Sequence, residues 1–217
     1  MLDPIINVLA VILDFFYEMT GSYGLAIVIL TIGIRGLTFP LMAKQMQSTS
    51  KMQELQPELK KLQEKYKDDK ETLNKKTMEL WKENKVNPAA GCLPLIVQMP
   101  VLIAMFRLLH DYQRFLGDID PNFLGINLSQ PDPMYILPIL AGGTTYLQQK
   151  LTMSSASSQG GAASSMMAIM PFMLVFISIN LPAGLPLYFV VGNIFSLIAH
   201  LVWKKPKAQT EGGAEQR

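Results

Sequence analysis

Arg35 is the only charge in Tyr23–Ala43, a run of 21 residues that contains ILTIGIRGLTFPL. A helix of that length rises about 30 Å, the thickness of a bilayer's hydrocarbon core. A guanidinium at such depth costs at least ~2.5 kcal/mol on insertion scales, so it normally faces water, a partner or other protein. One reading has Arg35 snorkelling to the headgroups, with Lys44 marking the helix end about 12 Å away. The other makes it a functional cation in a polar cavity. Thr31 lies four residues earlier, one turn away on the same face. Thr144, Thr145, Gln148 and Gln149 cluster in a later apolar run, and Asn180, Asn193 and Ser196 add amides and a hydroxyl beyond it. Each of these fits an ordinary helix–helix hydrogen bond. Together with Arg35 they also describe the lining of a groove, offering an acidic or polar chain segment a counter-charge in a reduced dielectric.

Other chemistries lack their residues. HExxH, GxSxG and GxxxxGK[ST] are all absent, which removes the defining geometry of zinc proteases, hydrolases and P-loop proteins. No acid lies inside the apolar runs, whereas proton and sodium pumps normally need one. Ser178 and His200 fall in separate runs without a motif, so an intramembrane serine protease has only chance-level support. Cys92 stands alone, excluding an intrachain disulfide or a thiolate cluster, and His110 and His200 suggest no shared site. No catalytic residue, metal or cofactor is expected.

The elements that must position Arg35 follow from composition. Apolar residues make up 49% of the chain and charged ones 17%, against ~25% charged in ordinary soluble domains. The expected class is an all-α polytopic membrane protein with five transmembrane helices, a cytoplasmic helical hairpin and an N-terminal interfacial helix. The spans are Tyr23–Ala43, Cys92–Leu109, Met134–Met153, Met166–Leu181 and Ala183–Trp203. Pro182, Gly184 and Pro186 predict a tight reversal between the last two. Residues 1–22 carry Ile5, Ile6, Leu9, Ile12, Leu13 and Phe16 on one helical face, and Asp3-Pro4 signals a helix start. They contain no base and so do not read as a signal peptide.

Charge orients the spans. Residues 44–85 hold eleven lysines and eight acids, and Lys150, Lys204, Lys205 and Lys207 fall on the same side. Met1–Ser22 has three acids and no base, and 110–133 has four acids and Arg114. The positive-inside rule puts 44–91, 154–165 and 204–217 in the cytoplasm and the N-terminus outside. Within 44–91, Met52, Leu55, Leu59, Leu62 and Tyr66 draw one helical stripe, and Leu73, Thr77, Leu80 and Trp81 draw a second. Two antiparallel helices joined at Lys67–Lys70 follow from this. Their basic surface suits anionic lipid, a ribosome or an arriving chain, and lacks the aromatic interleaving of specific nucleic-acid readers. Residues 154–165 read as a flexible linker and 204–217 as a disordered tail.

Over residues 5–205 the chain resembles the YidC/Oxa1/Alb3 family of membrane protein insertases. The resemblance is carried by TIGIRGLTFPL, KMQELQPELKKLQEKY, NPAAGCLPLIVQMPVLIAMF, FLGINL and NLPAGLPLYFVVGNIFSLI, in that order. It implies five core helices, a cytoplasmic hairpin after the first, and a groove closed toward the outside. The family's groove arginine maps onto Arg35, its threonine one turn earlier onto Thr31, and its aromatic pair onto Tyr188 and Phe189. Its third-span glutamine maps onto Gln148 or Gln149. Without a large extra domain or additional first span, the sequence is similar to the shorter Gram-positive members. The resemblance implies insertion and folding of nascent membrane proteins in the cell membrane, alone or with the Sec translocon, with contacts to ribosomes and anionic lipids.

Overall fold

The computed structural model describes residues 3–84, 86, 93–153 and 162–203. Cys92, Lys85, Asn87-Pro88, most of the expected linker (154–161) and the tail lie outside them. The described helices are α1 Asp3–Thr20, α2 Tyr23–Glu54, α3 Gln56–Lys65, α4 Lys70–Glu83, α5 Leu93–His110, α6 Tyr112–Leu116, α7 Ile136–Met153, α8 Ala162–Ser178 and α9 Gly184–Trp203. Two short strands, β1 Asn122–Phe123 and β2 Ile126–Asn127, pair antiparallel in the loop before α7. Among the described residues the regular structure is therefore helical apart from one small hairpin.

Among the described residues, two helices are long and apolar enough to cross a membrane, over Tyr23–Met52 and Gly184–Val202. Gln98–His110 and Ile169–Ser178 are shorter apolar helices. α7 misses that test because Thr144, Thr145, Gln148, Gln149 and Lys150 occupy its second half. The principal packing order runs α5, α1, α2, α9, α7, α8, each helix against the next.

Three expectations change. α2 runs unbroken past Ala43 to Glu54, through Pro40, and the helix stops at Leu55 instead. Pro57 supplies the reason: it has no N–H to give the preceding turn, yet suits the first turn of a new helix, α3. The stripe from Met52 to Tyr66 is thus divided between two helices. α8 starts at Ala162, inside the stretch read as linker. α1 buries Ile6, Leu9, Ala10 and Leu13 and leaves Ile5 and Ile12 exposed. The small Ala10 lets this narrower i, i+3, i+4, i+7 stripe approach the bundle closely.

One end of the bundle is closed by apolar packing. Leu13 of α1, Tyr23 and Ile27 of α2, Leu108 and Leu109 of α5, Leu128, and Ala183 and Leu185 share a single buried cluster. α1 lies across this end. Its first turn shares a cleft with the end of α5 and with α6, its Tyr17 hydroxyl accepts from the Asp120 N–H, and its last turn leads into α2. The loop before α7 seals the same end. Ala183 and Gly184 donate to the Gln130 and Leu128 carbonyls, and Phe123 sits so tightly on Gly24 that a Cβ there would enter its ring. Buried Asp132 accepts from the N–H groups of Met134 and Leu137, which starts α7.

Candidate functional site

Toward the other end, where α2 leads into α3, packing around α2 loosens. Tyr23, Ala26, Ile27, Leu30 and Thr31 are buried, but Ile34, Arg35, Thr38 and Phe39 on the same side are only partly so. Arg35 crosses to α9 and lies over Gly192. A Cβ on Gly192 would come within 2.6 Å of its Nη2 and 2.8 Å of its Nε. A hydrogen side chain there is what admits the guanidinium between the helices. Among the described residues the buried Nε finds no acceptor. A buried donor without a partner costs about 1–3 kcal/mol, and more when charged.

The neighbouring polar groups are mostly committed, to each other or to the backbone of their own helix. Thr31, fully buried, donates to the Ile27 carbonyl of its own helix at 2.6 Å. Ser196 does the same to the Gly192 carbonyl at 2.8 Å. Asn193 reaches from α9 to α7 and donates to the hydroxyls of Thr145, at 2.8 Å, and Thr144, at 3.1 Å. Gln148 and Gln149, one turn further along α7, are both half-buried. Tyr188 is buried and accepts at its hydroxyl from Gln98 Nε2 of α5 at 2.6 Å, with Phe189 edge-on to its ring at 5.7 Å. Arg35 is the strongest uncommitted polar group of this set.

Asn180 is not brought into it. It is exposed in the turn after α8, at the closed end. Ser178 sits at that same end of α8, whereas His200 lies near the far end of α9, about 24 Å of helix from Gly184. No serine–histidine dyad forms.

The chain is similar to known proteins. The sequence profile of the family described as 60Kd inner membrane protein matches residues 15–211. The membrane protein insertase YidC 2 of Bacillus anthracis is 44% identical over 215 residues, covering 96% of this chain and 83% of its own. The insertase MisCA of Bacillus subtilis is 42% identical with the same coverage, and YidC of Fusobacterium nucleatum is 41% identical over 91% of this chain and 94% of its own. The chain belongs to the YidC/Oxa1/Alb3 insertase family. A crystal structure of active YidC insertase, with its first transmembrane domain resolved, shares the fold at a TM-score of 0.69 and 22% identity. The alignment covers 94% of this chain, which spans 47% of that one.

This YidC-family chain is accordingly a multi-pass plasma-membrane insertase and chaperone, related to the Bacillus and Listeria proteins, and not a catalytic enzyme. Two residues of this polar set carry no signal strong enough to single them out beforehand. Gln98 is legible afterwards as the one polar residue within LIVQMPVLIAMF, the usual mark of an interhelical hydrogen bond. Gly192 carries no such mark, because a glycine in an apolar helix announces neither charge nor hydrogen bond.

Proposed function

We propose that this insertase receives client segments in a groove along α2, α7 and α9 that opens toward the hairpin end, with Arg35 as its counter-charge. The observation that carries the reading is the guanidinium seated on Gly192 with its buried Nε unmatched among the described residues. A client carboxylate about 4 Å away gains ~1 kcal/mol in water and ~4 kcal/mol at an effective dielectric of about 20. Attraction of that size draws an acidic or polar stretch part-way across and shortens the remaining barrier. The client's apolar helix then enters lipid, releasing ~0.8 kcal/mol per buried CH₂. No bond is made or broken.

Five helices, α2, α5, α7, α8 and α9, span the bilayer in this reading, with the N-terminus outside and the hairpin and tail in the cytoplasm. The lysines of 44–85 and of the tail support that orientation. α3 and α4 present their basic surface to arriving chains, the ribosome and anionic lipid, and the bundle works alone or beside the Sec translocon.

The test is insertion into vesicles reconstituted with purified protein. Arg35→Ala is expected to slow clients with an acidic translocated segment about tenfold, equivalent to ~1.4 kcal/mol, while the protein stays folded. Arg35→Lys is expected to keep much of the rate, since a moving client needs a cation more than a fixed fork. Undiminished insertion by Arg35→Ala would remove the groove charge from the mechanism.

A further inference from the structure

At the closed end, away from the groove, a cleft of about 410 Å³ opens between the first turns of α1, the last turn of α5 and α6. That volume lies within the range of small-ligand sites, roughly 300–1,000 Å³. Arg107 and Arg114 line it together with Asp3 and Asp111, two guanidiniums beside two carboxylates. Its inner wall is apolar, built from Ile6, Phe106 and Phe115. Arg114 lies over the Phe115 ring, its Cζ 5.7 Å from the centroid, and the ring steadies the guanidinium.

The cleft sits where a span ends, and α1 beside it exposes Val8, Val11, Phe15 and Met19. Such an apolar face belongs against acyl chains, which puts the charged cleft at headgroup level. Guanidiniums take phosphate with parallel hydrogen bonds, whereas an anion alone would also meet two carboxylates. A headgroup carrying both signs satisfies both sets. We infer that this cleft binds the headgroup of a zwitterionic phospholipid bearing a primary ammonium, phosphatidylethanolamine. Arg107 and Arg114 hold its phosphate, and Asp111 holds its ammonium. The acyl chains leave along the apolar wall, and the lipid straps α1 to α5 and α6.

The experiment reads binding and so is independent of the Arg35 mechanism. The full chain in detergent is titrated with phosphatidylethanolamine, phosphatidylglycerol or phosphatidylcholine, and bound lipid is counted by native mass spectrometry. One saturable phosphatidylethanolamine is expected, bound roughly tenfold more tightly than the other two, the factor of about one charge-assisted hydrogen bond. Arg107→Gln/Arg114→Gln is expected to lose at least that factor, and Arg107→Lys/Arg114→Lys to recover part of it, which separates lost contacts from lost folding. Asp111→Asn is expected to abolish the preference over phosphatidylglycerol. Equal binding of the three lipids, or a glutamine double variant that binds like the parent, would overturn the assignment. Soluble phosphoethanolamine competing as well as the lipid would overturn it too, by marking a site for the free headgroup compound.

Discussion

At the residue scale, the relation between Arg35 and Gly192 separates stability from activity. Glycine inside a helix costs ~0.8–1.0 kcal/mol against alanine. Gly192→Ala offers that gain but places its Cβ against the tip of the Arg35 side chain. The long side chain gives way before the backbone does. Gly192→Ala is therefore expected to melt no lower than the parent while inserting acidic clients several-fold more slowly, with Gly192→Val slower still. Thermal unfolding and vesicle insertion measured on the same preparations check this, and full activity in Gly192→Val would show that the notch does not matter. Arg35 was legible in the sequence as a lone charge in an apolar run. Thr31 was legible by spacing, yet its hydroxyl is already occupied by the Ile27 carbonyl, which makes it a packing residue of α2 before anything else.

At the element scale, α3 and α4 pack on each other and meet α2 through the Leu55 joint. Leu55, Leu59 and Val86 supply buried apolar contacts, and Asp69 caps α4 by accepting from the Thr72 N–H at 3.0 Å. Hydrogen bonding from Thr72, its side chain first and its backbone second, holds the Asp69 carboxyl below the ordinary aspartate value. A depressed folded value means that this stabilisation is present above the ordinary value, about 3.9, and is lost as pH falls through the lower folded one. Amide exchange in the full chain should show α4 losing protection in acid relative to Asp69→Asn, whose cap does not titrate. Matching protection in the two proteins at every pH would contradict the assignment. Periodicity revealed the hairpin's stripes, but the joint at Leu55 came from Pro57, whose effect reaches back along the helix and cuts across the periodic pattern.

At the scale of the whole molecule, burial along α2 falls from the closed end toward the hairpin end. Single cysteines at Ile34 and Thr38 are expected to react with a soluble maleimide, and cysteines at Ala26 and Leu30 to stay protected. Uniform labelling along the helix would describe a channel in place of a one-sided groove. The closed end makes the same point electrically. With Leu13, Tyr23, Leu109, Leu128 and Leu185 packed into one buried cluster, no continuous water path is expected there. Purified protein in a planar bilayer should then give no steady conductance, and a reproducible ion-selective open state would refute the closure. A quiet bilayer is informative only beside the Arg35→Ala result, which reports on insertion itself.

The sequence by itself determined the membrane character, the basic hairpin, the family and Arg35 as the lone charge of its own apolar run. These are carried by composition, by periodicity and by contiguous motifs, all of which act within a few turns of chain. Only the tertiary structure decided how the polar residues are divided. Asn193 is committed to Thr144 and Thr145, Tyr188 to Gln98, and Asn180 stands outside at the closed end, while Arg35 rests on Gly192 with a donor to spare. A hydroxyl or amide in an apolar helix has the same local signature whether it is satisfied by a neighbour or left for a client. The difference lies in which residue, distant in the chain, arrives within about 3 Å of it, and that depends on how the helices cross.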